Sequence, residues 1–189
     1  MNIFYLDKDP VTCARMHNDK HVVKMIIEYA QLMSTAHRVL DGIEYIGRTA
    51  NNRKIKRWRH PDPAMETGLM KASHVNHPSA KWTRQSNNNY IWLYYLWRAL
   101  CNEYTHRYGK IHACEKYAKY LQNAPKNIPA EDLTQPTPAM QAYAECIVPG
   151  DSRESYRNYY KIAKASFNNY TKRQKPEWLN DAPVLCGLL

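Results

Sequence analysis

Apolar positions recur with a helical period along most of this chain, and no two-residue alternation runs long enough for a sheet. A short extended segment, residues 1–6, leads to Asp9-Pro10, where Asp9 is suited to cap a helix with Pro10 in its first position. That helical pattern runs to about Leu40 and stops before Asp41-Gly42. A second long pattern opens at Asn76-His77-Pro78 and passes Trp82, Trp92, Trp97 and Tyr104 to the helix-ending Gly109. About thirty residues at 1.5 Å each span roughly 45 Å, so a kink or break is expected within it. Shorter helices are predicted over 110–122 and 138–146, separated by a connection holding Pro125, Pro129, Pro136 and Pro138. The capping box Asp151-Ser152-Arg153-Glu154 starts a last helix that reaches about Tyr170. The expected fold is all-α: one helical domain over 1–189, built round a buried first helix. Residues 1–112 form its site-bearing core, and 113–189 form a helical extension that is irregular and proline-rich.

The first helix carries the clearest chemical pattern. At 100° per residue, His17, His21, Lys24, Glu28, Gln31 and Thr35 fall within an arc of roughly 80°. From Val22 on, the rest of the circumference is largely apolar, including Val23, Met25, Ile26, Ile27, Leu32 and Met33. Such a helix is buried, so its polar stripe faces either solvent through a gap or an internal cleft. Two imidazoles, an amine and a carboxylate on consecutive turns can pass protons or activate a nucleophile. His17 and His21 have the spacing of two ligands on one metal ion, but the Lys24 ammonium on the same face disfavours a cation. No metal and no other cofactor is therefore expected. All eight histidines lie in the first 112 residues, which makes His77, at the start of the second long helix, the stripe's expected partner. There it sits beside free backbone N–H groups able to hold an anion, or else simply caps the helix.

Composition adds a partner to this picture. With 27 Lys and Arg against 17 Asp and Glu, the formal charge is +10, which favours polyanions. Arg53, Lys54, Lys56, Arg57 and Arg59, with Trp58 among them, combine phosphate-neutralising charge with a stacking face; they are expected in a loop or short helix. Lys81, Trp82 and Arg84 form a second such set beyond His77, followed by three asparagines that make poor helix. Either set taken alone can be plain solvated surface. The 15 Tyr and 5 Trp supply faces for bases as well as core packing. Five cysteines without CxxC spacing argue against a disulfide framework or a cysteine-zinc site. With no signal peptide and no apolar run near 18 residues, a cytoplasmic, non-membrane protein is expected, of unspecified oligomeric state.

The order of these pieces resembles the pyrimidine-dimer DNA glycosylase family, small all-helical repair enzymes of the T-even phage type. The likeness covers residues 1–112: a short start, a first helix with His17 to Glu28, the Asn76-His77-Pro78 turn, then an aromatic helix ending in Arg107-Tyr108-Gly109. The general look is also similar to that of phage-encoded proteins, which would place the chain in a host cytoplasm. The resemblance implies an N-terminal α-amine, freed by methionine removal, that attacks the sugar C1′ to form a Schiff base with help from a glutamate on the first helix. On this layout the glutamate's place falls nearest His21, with Glu28 almost two turns further on, and Asn2 is a poor residue for methionine removal.

The expected function is therefore that of a DNA-acting, base-processing enzyme (a glycosylase/lyase-like hydrolase of DNA repair or modification) binding a nucleotide in a cleft lined by the first helix. Glu28 or His21 serves as general acid/base, Lys24 as amine nucleophile or phosphate contact, and His17 and His77 orient substrate. Two alternatives stay open: a nucleotide- or DNA-modifying enzyme of another class, and a non-catalytic phage DNA- or protein-binding module.

Overall fold

Asp9 accepts the Thr12 N–H at 2.7 Å and starts a helix with Pro10 in its first position, but helix α1 (Pro10–Arg15) is short. The chain breaks after it, and Asn18 accepts the His21 N–H at 2.9 Å to cap α2 (Asp19–Asp41). One continuous helix was the expectation here. A local asparagine cap outweighs apolar periodicity because it satisfies an amide that an uncapped helix end leaves bare. Both helices pack on α5 (Asn87–Tyr108).

Residues 1–185 are described by the computed structural model, which is 53% helical. The fold is predominantly helical but not all-α: β1 (Ile43–Arg48) and β2 (Lys54–Arg59) pair antiparallel, from Ile43 opposite Arg59 to Arg48 opposite Lys54. The basic segment expected as loop or short helix is thus half of a hairpin. Its alternation was hidden because the ribbon stands off the core, so neither face is forced to be apolar. Ile43, Ile46 and Ile55 are 68%, 60% and 36% exposed, and supply strand propensity without burial. The hairpin is fastened at its base by Arg38, which donates to the carbonyls of Trp58 (3.1 Å), Leu69 (3.0 Å) and Met70 (2.6 Å) and pairs with Glu66.

Asp62 caps the short α3 (Pro63–Gly68), and His77 caps α4 (Pro78–Gln85). The long second helix breaks at Ser86, whose Oγ accepts the N–H groups of Asn88 and Asn89 and so starts α5. Buried Asn89 explains part of the asparagine run: its amide donates to the Trp82 carbonyl and to Thr134, both at 3.1 Å. Gly109 ends α5 at φ +67°, a left-handed position that favours glycine. The helix expected over 110–122 is a 3-10 turn (Ala113–Tyr117) followed by α6 (Ala118–Leu121), and that over 138–146 is a 3-10 turn (Gln141–Cys146). Asp151 accepts the Glu154 N–H and starts α7 (Ser152–Ala163), which ends before Tyr170.

The core is built from one side of α2 (Val22, Met25, Ile26, Tyr29, Leu32, Met33) against Leu93, Leu96 and Trp97 of α5, with Ile3–Leu6 and Tyr156 and Tyr160 of α7 also buried in it. The apolar arc of α2 is not closed, however. Val23 and Ile27 are 39% and 48% exposed beside Lys24, so α2 is a half-wrapped helix with a solvent face. At its N-terminal end lies a buried ionic knot. Arg107 donates to Glu103 and Asp19, each at 2.8 Å, and to the Arg15 carbonyl; Arg173 also grips Glu103, and Thr171 grips Asp19. Cys13, Cys101, Cys114 and Cys146 are buried free thiols, and Cys186 lies outside the described residues. Among the described residues no helix is long and apolar enough to cross a membrane.

Candidate functional site

The structure divides the polar stripe into an interior half and a surface half. His17 is fully buried: its Nδ1 donates to the Cys13 carbonyl at 2.8 Å, and its Nε2 accepts from the Tyr29 hydroxyl, which itself accepts the Phe4 N–H. His21 is stacked on Phe4 at 4.1 Å and hydrogen-bonded to the Tyr160 hydroxyl, under α7. Burial pushes His17 down to about 4, and burial, with the charge of His17 next, pushes His21 down to about 2. These two rings hold the N-terminal segment and α7 onto α2; both are buried and committed to hydrogen bonds inside the core, which does not suit the catalytic roles read from the sequence. Since both stay neutral when folded but take a proton near pH 6.5 when unfolded, stability is intact above about 6.5 and falls as pH drops from there towards 4. The slope is up to ~1.4 kcal/mol per pH unit for each ring. Urea midpoints between pH 7.5 and 4.5 check this, and the slope should be shallower in His21→Gln.

The surface half is different. The Met1 α-ammonium lies 4.0 Å from Glu28 Oε2, and Lys24 Nζ lies 3.3 Å from Oε1. Glu28 is 18% and the terminal residue 10% exposed, while Lys24 at 70% reaches water. The terminus is delivered there because Ile3–Leu6 are buried in the core, and because Ser79 donates its hydroxyl to the Met1 carbonyl at 3.0 Å. His77 caps α4 by accepting the Ser79 N–H, and so stands at the same place. Its imidazole is held below the usual histidine range, by burial first and then by the charges of the α-ammonium and His74, with Glu28 opposing them. Glu28, Lys24 and His77 are therefore brought together; His17 and His21 are not. On the family layout the glutamate's place fell nearest His21, but the carboxylate beside the α-amine is Glu28.

The later residues of the stripe build the rim. Gln31 donates to the Lys71 carbonyl at 2.7 Å, and Thr35 exchanges hydrogen bonds with the backbone of Ser73. They pin the segment that carries His74, whose φ of +50° is sparsely populated for a non-glycine residue. Ser73, His74 and Asn76 face Lys56, Arg57 and Trp58 of β2 across a groove of about 530 Å³. Arg53, Lys54 and Arg59 continue the positive charge along the exposed hairpin. The second basic set does not share this role. Trp82 is buried edge-on against Trp92, with its indole N–H on Thr134, and Arg84 donates inward to the carbonyls of Val75 and Ala80. Only Lys81 of that set is exposed.

Chemically the cluster offers an amine for an electrophilic carbon, a carboxylate for its proton, an imidazole, and a cationic groove alongside. The family resemblance implies a terminal amine as nucleophile, but no residue pattern points to where the Met1 amine lies, and none places His74 in the site. A terminus carries no periodicity, and only the burial of the segment behind it fixes where it points. Comparison of the chain with protein-family models, curated proteins and solved structures gives no match.

Proposed function

We propose that this chain is a DNA base-processing enzyme of the glycosylase/lyase type, with the α-amine at Met1 as nucleophile and Glu28 as its proton partner. The observation that carries the reading is the placing of that amine 4.0 Å from a half-buried carboxylate, next to a groove lined by Lys56 and Arg57. In the proposed reaction the neutral amine attacks the deoxyribose C1′ and gives up a proton to Glu28. The C1′–base bond breaks, and the base leaves with the bonding pair and is protonated. Opening of the sugar ring then yields an imine, which water hydrolyses to free the amine. Lys24 competes for the same role, but its side chain is 70% exposed, whereas the α-amine is held at the carboxylate by the buried segment behind it. A duplex base must be extruded for C1′ to be reached, and Trp58 and His74 offer faces at the rim.

Borohydride reduction in the presence of duplexes carrying abasic or damaged nucleotides tests this. The expected product is a covalent adduct whose peptide maps to Met1 and which persists in Lys24→Ala. An adduct lost in that variant moves the role to Lys24, and no adduct or base release with any duplex overturns the reading. The hairpin gives an independent expectation. Reversing Arg53, Lys54, Lys56 and Arg57 to Glu should abolish duplex binding at moderate salt. Neutralising them one at a time should lower the slope of log K against log salt by about 0.9 for each phosphate left without its cation. Fluorescence anisotropy across a salt series measures both.

A further inference from the structure

At the C-terminal end of α2, away from the amine, a cavity of about 540 Å³ is lined by His37, Asp41, His60, Lys119, Lys126 and Asn127 among others. Its deepest groups are poorly satisfied. The Tyr90 hydroxyl donates to the Leu121 carbonyl at 3.0 Å, so the 2.9 Å contact between His37 and that hydroxyl has Nε2–H as donor. His37 Nδ1 therefore carries a bare lone pair, is buried, and has no hydrogen-bond partner. It lies 3.9 Å from Asp41 Oδ2, so one acceptor faces another. The Asp41 carboxylate is itself positioned, accepting the N–H groups of Lys126 and Asn127, both at 2.9 Å. His60, 8% exposed, turns an Nε2 without a partner towards the same space.

We propose that His37 Nδ1, Asp41 Oδ2 and His60 Nε2 form a site for one divalent transition-metal ion of the zinc class, with a remaining position open to the cavity. One ligand atom from each of the three residues lies within 4.8 Å of the others, and a cation between them gives a partner to the His37 lone pair and relieves its contact with Asp41. Two imidazoles and one carboxylate match zinc-type ions, whereas Mg²⁺ and Ca²⁺ favour all-oxygen shells. The Tyr90 hydroxyl already fixes the His37 tautomer from behind, as outer partners of metal-bound imidazoles do. His60 is the adjustable ligand. It now accepts the Asp62 N–H at Nδ1, and on coordinating through Nε2 it shifts its proton to Nδ1 and gives up that contact. Of the charged groups facing the cavity, Asp62 reinforces Asp41, while Lys119 and Lys126 are exposed and carry their ammonium groups into water. The bound ion would tie the end of α2 to the connection between β2 and α3, and through Asp41 to residues 126–127.

The site is tested by calorimetric titration of Zn²⁺ into chelator-stripped protein, together with thermal melts. One ion per chain is expected, with a raised melting temperature, an affinity at least ~10-fold weaker in Asp41→Asn and in His60→Gln, and no change in the exposed His106→Ala. Histidine ¹⁵N NMR of the unmodified protein decides the matter independently of whether those variants fold: the His37 and His60 rings should shift on adding Zn²⁺, and His17 and His21 should not. No stoichiometric binding, binding indifferent to both substitutions, or shifts confined to other histidines would overturn the proposal.

Discussion

Glu28→Gln is expected to lower base release and imine formation by about 10²–10⁴-fold, the usual worth of a positioned proton-transfer group, while leaving the protein folded. The carboxylate's polar partners are the Met1 amine and Lys24, at 4.0 and 3.3 Å, so an amide of the same shape keeps the packing of α2 intact. What it loses is the capacity to take the amine's proton. Single-turnover rates and borohydride-adduct yields measure the chemical effect, and circular dichroism melts confirm the fold. Glu28→Asp should recover part of the activity, since the charge stays but its reach shortens. Equal single-turnover rates for Glu28→Gln and the unmodified protein would remove Glu28 from the mechanism, even if an adduct at Met1 survives.

The largest expected effect on stability is at Arg107. Its side chain is fully buried and bonded to Glu103, Asp19 and the Arg15 carbonyl, so Arg107→Leu strips a cation from two carboxylates at once. Breaking a buried pair from one side costs roughly 3–5 kcal/mol, a large part of a typical domain's stability. Arg173 remains on Glu103 and Thr171 on Asp19, which places the expectation at the lower end of that range. Lysine should not rescue, because a single ammonium cannot span three acceptors set round a planar guanidinium. Burial alone would push Glu103 above its ordinary 4.5, but the hydrogen bonds from Arg173 and Arg107 together hold it below. Asp19 is likewise held below 3.8, with burial opposed by Thr171 and Arg107. Both contribute stability that is complete at neutral pH and is lost as pH falls below those values. Urea unfolding of Arg107→Leu at several acid pH values should show a flatter dependence there than the unmodified protein.

The elements legible in the sequence were those set by local chemistry. Asp9-Pro10, Asp151 with Glu154, and Gly109 each mark a boundary that the structure bears out, because a cap is decided by residues within one turn of it. The break at Asn18 was equally local, but the polar stripe from His17 to Thr35 runs straight across it and reads as one helix. That reading put His17 in phase with a helix it does not belong to. The hairpin was illegible for a different reason: sequence pattern reports burial, and Ile43–Arg48 and Lys54–Arg59 have little of it. In the candidate site, Glu28, Lys24 and His77 could be picked out by residue type and phase. The basic residues of β2 could be picked out as well, but that they face His74 and that the Met1 amine lies at Glu28 could not, since both juxtapositions are made by contacts between segments distant in sequence.

The seam over the start of α2 has a further consequence, in the order of synthesis. His21 is sealed by Tyr160, 139 residues later, and Asp19 by Thr171, 152 residues later. At about 5–20 residues per second, Phe4, His17 and His21 wait on the order of ten seconds on the ribosome before their cover has been made. For that interval the aromatic groups behind the terminus are open to chaperones, and the amine that Ile3–Leu6 must hold in place has nothing firm to stand on. Closure of the seam thus waits on synthesis of residues 150–171, and codon choice or pausing there would set how long the aromatic groups stay exposed.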